Sequence, residues 1–251
     1  MVAPNSQQRA SWPGSPSPSP FSTGRVDVWS VHLDEEAKAS SEAGVLSPDE
    51  VARAGRFHFE KDRRHFIRCR AALRLLLAEY LVIPADQIQF EYLTGGKPQL
   101  VPRQNPGALQ FNVSHSAGMA LIAFSGERRL GVDVERIRDD VDTAALAERF
   151  FSLRERAGLR ALPAQLHVLG FFACWTRKEA FLKATGDGLA FPLADFSVTA
   201  HPDSDPKLED IKGNKEAGDQ WFLADVDVGN VYRAAVAVES TACRLETYTW
   251  N

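Results

Sequence analysis

The chain has 251 residues, 44% of them hydrophobic and 25% charged, which is enough for a substantial core in one domain or two small ones. A formal net charge of -4 at pH 7 gives no global attraction to nucleic acid, so a phosphate-binding surface must be a local patch. No apolar run reaches the length of a membrane helix. The cysteines Cys69, Cys174 and Cys243 carry no paired or metal-binding spacing, which suits reduced thiols in the cytoplasm.

Residues 1–24, with Ser-Pro repeated over 15–20, read as a disordered leader rather than a signal peptide. Order is expected from Arg25, where Val26, Val28 and their neighbours alternate as a strand. Ser47-Pro48-Asp49-Glu50 has the form of a capping box opening a helical section that runs to about Tyr80. Residues 51–74 carry eight basic side chains, among them Arg53, Arg64 and Arg68, against Glu60 and Asp62. Such a run is either a solvated face or a phosphate-binding patch.

Ile88, Phe90 and Tyr92 alternate as a strand, and Gly95-Gly96-Lys97-Pro98 turns the chain with Lys97 at its tip. Leu109, Phe111 and Val113 form a strand ending in Ser114-His115-Ser116. His115 there is either a ligand-binding imidazole or a structural residue at the strand end. Met119–Phe124 reads as a buried strand, followed by a turn at 125–128.

Gly131-Val132-Asp133-Val134-Glu135 alternates small or apolar residues with acids, so Asp133 and Glu135 share one strand face. Two such carboxylates ionise together in open water or around a hard cation such as Mg²⁺. Alternation of this kind also fits an ordinary half-buried strand. A second capping box, Ser152 with Glu155, predicts a helix start of structural purpose. Pro163 opens the helical section that ends at Gly186-Asp187-Gly188. Thr176, Glu179 and Lys183 share a face of it, and Phe171, Trp175 and Phe181 form an apolar stripe. Glu179 and Lys183 also have the spacing of a surface ion pair. A polar loop to about 218 and three further strands complete the chain. This order predicts an α+β fold of two similar halves, 25–128 and 129–251, with a ligand cleft between them.

Five stretches, taken together and in order, resemble the surfactin-type phosphopantetheinyl transferases. They are Lys97-Pro98, Phe111–Ser116, Gly131–Glu135, Phe150-Phe151-Ser152 with Glu155, and Trp175–Lys183. The resemblance covers about residues 45–200. It implies a pseudo-two-fold fold, with coenzyme A in the cleft, Mg²⁺ on its pyrophosphate and a serine of an apo acyl or peptidyl carrier protein as acceptor. By motif position it makes Asp133, Glu135 and Glu179 the metal carboxylates and sets Lys183 and Lys178 near the pyrophosphate. Arg53, Lys97, Ser114 and His115 would meet the nucleotide and its phosphates. Glu50 and His65 stand where many members carry a basic residue and an arginine, with Arg64 or Arg68 as substitutes.

Attack by a hydroxyl on a phosphoanhydride gathers negative charge, so positioned cations, Mg²⁺ and Lys183, carry most of the catalysis, with Glu179 or a metal-bound water beside it as the base. Arg154, Arg156 and Arg160, with Leu189, Phe191 and Pro192, offer a surface for an acidic carrier. The chain is expected to act as a monomer, away from membranes and nucleic acid. A Mg²⁺-dependent phosphodiesterase and a non-catalytic coenzyme A binding module are the rival readings.

Overall fold

The computed structural model describes residues 24–35, 42–92, 96–186 and 191–250, so the expected leader lies outside the described residues up to Gly24. Strand β1 (Arg25–His32) is followed by helices α1 (Pro48–Ala54) and α2 (Glu60–Leu81). Two hairpins come next, β2 (Phe90–Tyr92) with β3 (Pro98–Leu100), then β4 (Leu109–Ser116) with β5 (Met119–Gly126). Strand β6 (Leu130–Arg136) carries the acidic alternation. It leads into helices α3 (Thr143–Phe150), α4 (Leu153–Ala161) and α5 (His167–Thr185). The chain closes with β7 (Phe196–Val198), β8 (Leu208–Ile211), the single turn α6 (Lys215–Gly218), β9 (Phe222–Asp225), β10 (Tyr232–Val238) and β11 (Arg244–Trp250). The expected polar loop thus holds β8 and α6, because Leu208 is an apolar anchor buried in the adjoining core.

Both capping boxes form. The Ser47 amide donates to Glu50 Oε2 at 3.0 Å, and Ser152 and Glu155 bond reciprocally at 2.8 and 3.2 Å. Each pair satisfies amides that a helix start leaves without partners.

The strands make a four-stranded sheet, β11-β1-β5-β4, and a three-stranded sheet, β6-β10-β9, besides two small hairpin sheets. Alternation decides the layers. In the larger sheet Trp29, Val31, Ile122 and Phe124 face α2 through Leu73 and Leu77. Val26, Val28, Leu121 and Ala123 on its other side pack on Val132, Val134, Val236 and Val238 of the smaller sheet. The far face of the smaller sheet, with Leu223, Ala235 and Ala237, packs on α5 through Phe171, Phe181 and Leu182. The fold is α+β, with a long helix outside each of two facing sheets.

The last strand departs from expectation. β11 leaves the second half of the chain and pairs parallel with β1, Val26 opposite Leu245 and Trp29 opposite Tyr248. Its apolar anchors explain why. Tyr248 stacks on Trp29 at 4.6 Å between ring centroids, and Trp250 is buried beneath the Arg68 guanidinium in the first core.

Candidate active site at the seam between the sheets

The acidic face of β6 looks toward α5, and Gly131 fixes how close the two can come. A Cβ built on Gly131 would stand 2.1 Å from the Ala180 carbonyl oxygen and 2.4 Å from the Ala184 amide nitrogen. Only a residue without a side chain admits this approach of backbone to backbone. Asp133 and Glu135 follow Gly131 on the same face, and Glu179 and Lys183 lie one helical turn apart on α5. All four line one pocket of 360 Å³, together with Ser114, His115 and Trp175.

Asp133 is the buried member, 2% exposed. Its Oδ1 accepts from Lys183 Nζ at 2.6 Å and from Ser114 Oγ at 2.8 Å, while its Oδ2 is buried without a hydrogen-bond partner. Glu135 accepts from Ser116 Oγ at 2.8 Å. Burial raises the pKa of Glu135, with Ser116 opposing and Asp133 adding to the rise. Burial likewise raises Glu179, helped by the charge on Asp133 and opposed by Lys183. His115 is pushed below its ordinary value by lost hydration and then by the Lys183 ammonium. Three carboxylates with one unsatisfied buried oxygen form a hard donor set of the kind Mg²⁺ prefers. As the side chains stand, no three His, Cys, Asp or Glu groups among the described residues form a set ready to hold a metal ion. Lys183 is on Asp133 and Ser116 is on Glu135, so the acids share a pocket while bonded to other partners.

Val113 and His115 also border a second, larger pocket of 580 Å³. Its walls are apolar through Phe57, Phe66, Leu73 and Pro98 and basic through Arg53, Lys61, His65 and Arg70. Asp34 bridges two of these bases, accepting from His65 at 2.8 Å and from Lys61 at 3.1 Å. The basic run of the sequence therefore contributes only part of itself to a ligand-sized cavity.

Several expected site residues stand elsewhere. Lys178 is fully buried, and its ammonium donates to Glu155 Oε1 at 2.6 Å and to the Phe196 carbonyl at 2.7 Å, on the side of α5 away from the pocket. It is corrected from a pyrophosphate ligand to a core cation. Thr176 is also buried, its hydroxyl bonded to the Phe172 and Ala173 carbonyls within the helix. Lys97 turns its ammonium onto the carbonyls of Lys183 and Leu130 at 2.6 and 3.3 Å, bracing the end of α5 against β6. Burial brings its pKa down to about 8. Arg68 does not substitute at the larger pocket, since it is buried against Glu42, Glu35 and the His32 carbonyl. Arg154 is paired with Glu209, and Arg156 and Arg160 with Glu148. Phe191 packs into the core beneath α5 against Phe181 and Phe196, and Leu189 lies outside the described residues.

Asn112 and Ser116 carry contacts that the sequence reading did not assign. Asn112 Oδ1 accepts the Val132 amide at 2.9 Å, Ser114 Oγ the Val134 amide at 3.3 Å and Ser116 Oγ the Arg136 amide at 3.1 Å. Side chains of β4 thus take the place of a backbone ladder along β6 and join the two sheets. The signal for this was the polar alternation at 112, 114 and 116 in a strand whose neighbours are apolar.

The profile described as "4'-phosphopantetheinyl transferase superfamily" matches residues 129–237, and "4'-phosphopantetheinyl transferase, N-terminal" matches residues 32–127. The 4'-phosphopantetheinyl transferase HetI of Nostoc sp. is 40% identical over 214 residues, 85% of this chain and 87% of that protein. The chain belongs to the 4'-phosphopantetheinyl transferase superfamily. This transferase is also 30% identical to the 4'-phosphopantetheinyl transferase Sfp of Bacillus subtilis, over 73% of this chain and 81% of that one. The phosphopantetheinyl transferase of Thraustochytrium sp. is 31% identical, over 87% and 77%.

Glu50, where the resemblance leads one to expect a basic residue, has a structural role of its own. Glu50 is buried as the capping acid of α1, and its carboxylate accepts from Arg74 at 2.5 Å and pairs with Arg70 at 3.4 Å. A basic residue at this position would face the buried Arg74 guanidinium and the partly buried Arg70 in place of the acid that neutralises them.

Proposed function

We propose that this transferase moves the 4'-phosphopantetheine arm of coenzyme A onto a serine of an apo acyl or peptidyl carrier protein, releasing adenosine 3',5'-bisphosphate. Mg²⁺ would be held by Asp133, Glu135 and Glu179, and it would supply charge neutralisation on the phosphates when bound. The observation that carries this reading is the unpaired, buried Asp133 Oδ2 in a pocket it shares with two further carboxylates and Lys183. Lys183 is placed to meet the charge that builds as the phosphoanhydride breaks. Glu179 is the base for the attacking hydroxyl. The larger pocket, with Arg53, Lys61, His65 and Arg70 on its walls, suits the nucleotide end, and His115 stands where the two cavities meet. Among the described residues no helix is long and apolar enough to cross a membrane. We propose a cytoplasmic monomer, from three cysteines without paired spacing and two halves within one chain.

The test is intact-mass measurement of an apo carrier incubated with the protein, coenzyme A and Mg²⁺. The expected result is a carrier heavier by one phosphopantetheine, and no change when a chelator replaces Mg²⁺. An unmodified carrier across a panel of fatty-acid, polyketide and peptide carriers would overturn the proposal.

A further inference from the structure

Ser114 and Ser116 make the same contact twice, two residues apart. Ser114 Oγ donates to Asp133 Oδ1 at 2.8 Å and accepts the Val134 amide at 3.3 Å. Ser116 Oγ donates to Glu135 Oε2 at 2.8 Å and accepts the Arg136 amide at 3.1 Å. Each hydroxyl therefore spans one carboxylate and the peptide N–H immediately after it. The period of two on β4 matches the period of two on β6, and so the motif repeats in register. A hydroxyl suits this position because its single proton serves the carboxylate while a lone pair takes the amide. Alanine can do neither, and asparagine at 112 does only the second, accepting the Val132 amide at 2.9 Å.

The two serines differ in one respect. Ser114 also accepts from Lys183 Nζ at 2.8 Å, so it serves the cation of the pocket as well as an acid. Among the described residues the hydroxyl of Ser116 bonds Glu135 and the amide that follows it. Glu135 has a long side chain that can point along many directions, and fixing it in advance removes an entropy cost at the moment a cation binds. We infer that Ser116 is a positioning residue, which aims the Glu135 carboxylate into the pocket of Asp133 and Glu179 while closing the seam between β4 and β6. This rests on the reading of those three acids as the cation site, and it goes beyond that reading because Ser116 touches neither cation nor substrate. Partners of metal-binding side chains typically contribute about 10–100-fold to affinity.

The experiment compares the wild-type protein with Ser116→Ala, Ser116→Thr and Asn112→Ala. Mn²⁺ is the probe, its free fraction read by electron paramagnetic resonance in the presence of coenzyme A. The Mg²⁺ concentration at half-maximal carrier modification and the melting temperature in chelator are measured alongside. Ser116→Ala is expected to weaken Mn²⁺ binding about 10-fold and raise the half-maximal Mg²⁺ by a similar factor, with Ser116→Thr restoring most of both. Asn112→Ala loses only a seam bond, so it should lower the melting temperature and leave both metal readings unmoved. If Ser116→Ala behaves like Asn112→Ala, the positioning role is wrong while the cation site stands. A wild-type protein that binds no Mn²⁺ overturns the inference together with the reading beneath it.

Discussion

Lys183 ties three elements together, since its ammonium on α5 reaches Asp133 on β6 at 2.6 Å and Ser114 on β4 at 2.8 Å. Glu179, one turn earlier, lines the same pocket and keeps its carboxylate half-buried. Glu179→Gln preserves the size of the side chain and removes its basicity, so turnover should fall by about 10²–10⁴-fold with the melting temperature nearly unchanged. Single-turnover kinetics with the carrier checks this, and near-normal rates would remove Glu179 from the mechanism. Lys97 gives a prediction in pH. Its pKa in the folded protein is about 8, below the ordinary 10.5, so between those values the unfolded chain binds the extra proton. Stability contributed at this site therefore rises as pH climbs from 8 toward 10.5, because burial penalises the charged form most at low pH. The stability of Lys97→Met relative to the wild type should be highest at pH 7 and fall by pH 10, read by denaturant unfolding at both pH values. A difference independent of pH would contradict it. The acids of the pocket were legible because a period of two on a strand and a period near four on a helix each put a pair on one face. Lys178 was misplaced because the helix turns about 100° per residue, which leaves it about 140° away from Lys183 around α5. The motif pointed at both lysines; the geometry admits only one.

Between β6 and α5 the contact is backbone on backbone at Gly131, which brings two acids of a strand against an acid and a cation of a helix. Gly131→Ala would drive a methyl group into the Ala180 carbonyl and the Ala184 amide, neither of which is a flexible side chain. The expected loss is roughly 1–3 kcal/mol of stability from overpacking, with activity falling further because α5 carries Glu179 and Lys183 away from β6. Thermal unfolding alongside carrier modification tests this, and a variant of unchanged stability would show that the approach is looser than drawn. On the opposite side of α5, Lys178 and Glu155 are both fully buried as an ion pair. Removing one partner leaves an uncompensated charge, so Lys178→Met or Glu155→Gln alone should cost about 3–5 kcal/mol, and the double variant less than the sum. A double-mutant cycle measures this, and simple additivity would mean the two charges do not depend on each other. The capping boxes were readable from sequence because their pattern is local. That Glu155 also serves a lysine 23 positions later was not, since nothing near it in sequence states where α5 will lie.

The whole molecule is two sheets packed face to face, each with a long helix outside, and its element order was largely legible from alternation and caps. The partner of β11 was not. Its alternation marks a strand but says nothing of which sheet receives it, and tertiary packing of Tyr248 and Trp250 on the first core decided the matter. Deleting residues 244–251 should therefore damage the half of the protein that the cut leaves intact, exposing the edge of β1 and the Trp29 face. Loss of cooperative unfolding in the truncated chain is the expected outcome, read by circular dichroism on heating. A truncated chain melting as sharply and as high as the full one would assign β11 a peripheral role.

The parallel pairing of β1 with β11 also orders events during synthesis. Strand β1 must wait for a segment far later in the chain, Arg25 for Arg244, before its outer edge is covered, so the layer built on β1 cannot finish assembling until β11 has emerged. A nascent chain stalled before residue 244 would display an open strand edge, which makes this the stage at which chaperone capture or aggregation competes with maturation.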